Sequence, residues 1–98
     1  MSDFKAQLKE QLAEVDWKDL IPHAQRDALI IVHPQLDLIE VGCAIALDDT
    51  FLVQNWISEQ LIKKPSSEEL SNWNEEPEIK FKTLIVQPFV IASVILSI

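Results

Sequence analysis

Apolar residues at Phe4, Leu8, Leu12 and Val15 recur at spacings of four, four and three. That spacing lays one stripe along a helix over 3–15, with Lys, Gln and Glu around it. Asp16 can cap a second short helix beginning at Trp17, whose buried side is Trp17, Leu20 and Ile21. Ala28 to Val32 is a short run of Leu and β-branched residues closed by His33-Pro34, which favours a buried strand. Asp37 with Glu40 has the form of a capping box, and Leu38, Val41 and Ile45 give the helix after it one stripe that stops near Asp48-Asp49. Leu52, Val53, Trp56 and Ile57 share a face of the next helix. Leu61 to Lys64 reads as a brief strand ended by Pro65. Ser66 and Glu69 form a second capping box, opening a short helix through Trp73. Phe81 to Ala92 is the longest strand, and Pro88 removes a ladder donor there, which requires an edge position, a bulge or a bend.

Five short helices and three strands imply an α+β fold, one domain over 1–98, with the helices packed on a small three-stranded sheet in two layers. Residues 92–98 are expected as a C-terminal extension. The middle of the chain has the order of a winged helix-turn-helix, and Val53 to Leu61 would be its recognition helix.

Charge weighs against that reading. Sixteen Asp and Glu against eight Lys and Arg leave a net charge of −8, whereas affinity for nucleic acid comes largely from neutralising phosphate. Val53 to Leu61 holds no Lys or Arg, and Lys63-Lys64 is the only adjacent basic pair. Nucleic acid is therefore not the expected partner. A hydrophobic share of 48% sets the chain apart from disordered acidic segments.

The end of the chain is uneven in the opposite sense. Leu84 to Ile98 carries no charge, but its fifteen residues fall short of the roughly 20 that a spanning helix needs. Its Val and Ile favour strand. The N-terminus lacks the basic and apolar regions of a signal peptide, so the expected location is the cytoplasm, with no membrane partner.

Little catalytic equipment is present. The lone cysteine, Cys43, lies in an apolar helical segment and reads as a structural thiol. His23 and His33 show no paired-ligand spacing, so no metal is expected, and no cofactor either, since one glycine cannot build a phosphate-cradling loop. Asp48-Asp49, Glu68-Glu69 and Glu75-Glu76 read as caps and solvated faces rather than catalytic dyads. Trp17, Trp56 and Trp73 each fall on an apolar helix face and are expected in the core. Arg26, the only arginine, can anchor a carboxylate or phosphate bidentately together with His23, or serve as an internal salt-bridge partner.

Leu20 to Arg26, Leu36-Asp37-Leu38 with Val41, Val53 with Trp56-Ile57, Lys64-Pro65, Trp73, and Ile85 to Val90 together resemble an uncharacterised bacterial domain family, number 2288 of those of unknown function. The resemblance spans about residues 8 to 91. It implies a small single-domain bacterial protein and carries no activity, substrate or catalytic residue with it. It does weight the Pro22-His23-Ala24-x-Arg26 cluster and the Gln87-Pro88 bend, which adds Gln87 to His23 and Arg26 as ligand-binding candidates.

The expected function is a non-enzymatic protein-interaction or regulatory module. Pro88, Phe89, Val94 and Ile95 are its interface candidates, in a C-terminal segment that could pair edge to edge with a second copy as a homodimer. The alternatives are a degenerate winged-helix DNA-binding regulator, and a small-ligand binder or enzyme using His23 and Arg26.

Overall fold

The computed structural model describes residues 3–76 and 78–95. The elements run α1 (Asp3–Glu10), β1 (Ala13–Asp16), α2 (Trp17–Gln25), β2 (Leu29–Val32), α3 (Leu38–Ala46), α4 (Thr50–Ser58), β3 (Ile62–Lys63), α5 (Ser67–Glu75), β4 (Lys80–Val86) and β5 (Phe89–Val94). The fold is α+β with five helices among the described residues, as the periodicity predicts. The sheet differs: it has five strands in the order β1-β4-β5-β2-β3, not three. All neighbours pair antiparallel except β5 and β2, which run parallel.

Two strands account for the difference. The stripe over 3–15 predicts one helix, yet α1 stops at Glu10 and 13–16 become β1, paired with Lys80–Thr83 of β4. Leu8 and Leu12 join one hydrophobic cluster while Val15 is half-buried against the other, so a single helical stripe cannot serve both, and pairing with β4 prevails. The long strand over 81–92 is broken at Gln87-Pro88, a two-residue turn with a cis peptide bond between β4 and β5. Pro88 thus takes the bend that its missing N–H requires.

Side chains alternate across this sheet and both faces are covered, in place of the expected two layers. On one face α1, α3 and α4 pack Leu8, Val41 and Trp56 against Val32, Leu84 and Ile91. On the other, α2 and α5 pack Trp17, Leu20 and Trp73 against Leu29, Phe81 and Val90. All three tryptophans are buried. Trp17, Trp73 and Phe81 form an aromatic cluster with ring centroids 5.0–5.8 Å apart, the spacing at which aromatic pairs attract beyond their area.

The helix-turn-helix expectation holds only as far as helix order. α3 and α4 are consecutive and packed, but β3 pairs with β2 rather than with the strand after it. The wing does not form, because α5 intervenes and β4 turns back on β5.

β5 lies inside the sheet, with β4 on one side and β2 on the other. Its apolar character follows from that place, since central strands are buried on both faces. Edge pairing with a second copy through this segment is therefore not open; the sheet's edges are β1 and β3. Ala92 to Val94 close β5, and residues 96–98 of the expected extension lie outside the described residues.

Candidate functional site

The parallel pairing of β2 and β5 sets their starts side by side, with Leu29, the first residue of β2, opposite Val90, the second of β5. That register brings the end of α2, which leads into β2, against the turn that leads into β5. His23 and Arg26 from the first, and Gln87, Pro88 and Phe89 from the second, line one cavity of about 410 Å³ with Ala28, Ile85 and Val90. All three sequence-predicted ligand residues meet there, as do two of the four interface candidates. Val94 and Ile95 do not: they lie at the opposite end of β5, half-buried.

The end of α2 is built by backbone hydrogen bonds. Ala28 N–H donates to His23 O and Asp27 N–H to Ala24 O, both at 3.0 Å, the paired closure of a Schellman motif. Asp27 adopts the left-handed φ of 61° that this closure needs. Its carboxylate accepts from Lys64 Nζ at 2.6 Å. Arg26 Nη2 donates to His23 Nδ1 at 2.6 Å. A guanidinium can only donate, so Nδ1 is the acceptor and the imidazole proton sits on Nε2.

A second, larger hollow of about 690 Å³ lies on the other face, between α4, the end of α3 and β3. Its apolar lining includes Ile30, Ile45, Val53, Ile57, Ile62 and Phe89, and its polar rim carries Asp48, Asp49, Lys63 and Lys64. Lys63 also reaches Glu69 Oε1 at 2.9 Å. Burial of the Glu69 carboxyl works to raise its pKa, but hydrogen bonds from the Ser66 N–H and from Lys63 outweigh it and hold the group below its ordinary value.

This hollow is the feature that the sequence pattern misses. Leu52, Val53, Trp56 and Ile57 read as one buried face, yet Trp56 alone is buried; Leu52 is 36%, Ile57 53% and Phe51 77% exposed. The available signal is the width of the apolar arc, since Phe51, Leu52, Val53, Trp56 and Ile57 spread too far round a helix for one stripe.

His33 accepts the Gln35 N–H at 3.0 Å within its own turn, and Cys43 is a half-buried free thiol. No cluster of His, Cys, Asp and Glu positioned for a metal occurs among the described residues. No helix among them is long and apolar enough to cross a membrane.

The fold recurs in the solution NMR structure of PA1075 from Pseudomonas aeruginosa, with a TM-score of 0.82 and 29% identity over 99% of this chain and 89% of that one. No curated protein matches the chain. The model of the family described as a protein of unknown function, DUF2288, matches residues 3–93, and the chain belongs to that family.

Proposed function

We propose that this protein is a non-enzymatic interaction module of the cytoplasm, and that its docking face is the α3–α4 corner, occupied by a second copy of the chain. One observation carries the reading: α4 buries Trp56 and leaves Phe51, Leu52 and Ile57 exposed, and Leu47, which closes α3, is itself 67% exposed. Single exposed apolar residues are ordinary, but a contiguous group rimmed by polar residues marks a contact surface. Here the exposed Ile57 stands at the edge of the apolar hollow, so a projecting side chain and a recess lie side by side. A two-fold contact requires such self-complementarity, because the same patch must serve as both partners. The rim supports it with acidic Asp48-Asp49 and basic Lys63-Lys64, which a two-fold axis can set against each other.

Sedimentation velocity between about 5 and about 500 μM tests the reading, and a concentration-dependent dimer is expected. Ile57→Glu and Phe51→Ser should each weaken it by about tenfold or more. Both side chains are exposed, so the urea midpoint of the monomer should stay in place. A monomer across the whole range overturns the proposal.

A further inference from the structure

We propose that the cavity between α2 and the β4–β5 turn binds a small organic oxyanion, a carboxylate or phosphate on an apolar body, with Arg26 as its charge anchor. This site shares only Phe89 with the hollow of the self-association face, and either can fail alone.

The first support is an uncompensated charge. The chain holds sixteen Asp and Glu and a single arginine, yet the ion pairs among the described residues all use lysine. Asp27, next in sequence to Arg26, is engaged by Lys64 instead. Arg26 spends one contact on the neutral His23 ring, and a guanidinium has five N–H donors in a fork that matches an oxyanion. Holding Arg26 by a neutral acceptor fixes the fork without cancelling its charge.

The second support is the rest of the lining. His23, with its proton on Nε2, and the Gln87 amide add donors to the same cavity. Among its apolar walls, Ile85 is 54% exposed although it stands on the sheet face that α2 and α5 otherwise cover. An apolar ligand body would remove that surface from water. A volume of about 410 Å³ suits a small molecule. No carboxylate lines the cavity, which removes the competitor that would favour a cation.

One feature opposes an anion here: a helix C-terminus carries partial negative charge on its free carbonyls. In α2 those of Pro22, His23 and Ala24 accept hydrogen bonds from Arg26, Ala28 and Asp27. The end is capped, and the guanidinium is held at the last turn by His23.

Amide-resolved NMR titration tests the site with hydrocinnamate, phenyl phosphate and the uncharged hydrocinnamamide. Each anion at up to about 10 mM is expected to shift the amides of Arg26, Ala28, Ile85 and Val90 in a saturable way, and the amide analogue to bind about tenfold or more weaker. The tighter of the two anions assigns the headgroup. Arg26→Gln should cost about tenfold or more in affinity while the urea midpoint holds, and Arg26→Lys should recover part of the loss. No saturable shift with either anion, or equal binding by Arg26→Gln, overturns the proposal.

Discussion

A Cβ placed on Gly42 of α3 would stand 2.6 Å from Leu84 Cδ2 on β4 and 3.3 Å from Val86 Cγ2. The only glycine in the chain is thus spent on close approach of a helix to the sheet, at a residue with both partners in the core. Gly42→Ala sets two effects against each other: alanine gains about 1 kcal/mol of helix propensity, while overpacking a filled core costs about 1–3 kcal/mol. Leu84 is fully buried and has little room to yield. A net loss of about 1 kcal/mol is expected by urea denaturation. Adding Leu84→Val should recover part of it, so the double-mutant cycle should show coupling.

With glycine committed there, helix ends are closed by other residues. Asp27, Asp48 and Gln60 take φ values of 61°, 58° and 61° after α2, α3 and α4. Each donates its N–H back to the helix while the next residue reaches one carbonyl further, as Leu61 does to Trp56 O at 2.8 Å. Asp tolerates this conformation through its short polar side chain; Gln gains no such help. Gln60→Gly should therefore stabilise the protein by about 0.5–1 kcal/mol, with the flexibility it adds to the unfolded chain as the opposing term. A raised urea midpoint at unchanged slope is the expected result.

These two cases show where the sequence is legible and where it stops. Ser66 and Glu69 are neighbours in the chain, and their reciprocal hydrogen bonds at 3.0 and 3.1 Å are those a capping box implies. Trp17 and Trp73 fall on apolar faces and are buried as that pattern requires. β1 was hidden because its partner, Lys80–Thr83, lies more than sixty residues away, and local periodicity carries no trace of it. The cavity is half legible: residue chemistry singles out His23 and Arg26 and the family resemblance adds Gln87, but only the Leu29–Val90 register brings them together. The α4 hollow is not legible, because an apolar side chain looks the same in sequence whether it faces the core or the solvent.

Trp17 donates its indole N–H to Asn74 Oδ1 at 2.9 Å, tying α2 to α5 across the aromatic cluster. The tryptophan is 1% exposed, so its donor has little access to water. Asn74→Ala should cost about 1–3 kcal/mol, the penalty of a buried donor left without a partner. Trp17→Phe removes that donor but also packing area, so the Asn74→Ala step should be much smaller in that background. Equal costs in both backgrounds, by urea denaturation, would show the bond to be energetically silent.

Asp16 and Lys80 tie β1 to β4 at the sheet edge and respond to pH on both sides of neutrality. The hydrogen bond from Lys80 is the main cause that holds the Asp16 carboxyl below its ordinary value, and the same bond raises the Lys80 ammonium. For Asp16 the folded pKa is the lower, so its contribution is complete above the ordinary carboxylate value. It is lost as pH falls through the folded one. For Lys80 the folded pKa is the higher, so the contribution is complete below the ordinary lysine value and is lost as pH rises through the raised one. The pair is at the surface, where ion pairs contribute little. The expected signature is therefore a shallow plateau around neutrality with a decline at each end. Lys80→Met should flatten the part of both declines that this pair contributes, and urea midpoints measured from acid to alkaline pH would show it. A wild-type-minus-variant difference that stays constant across that range contradicts the coupling.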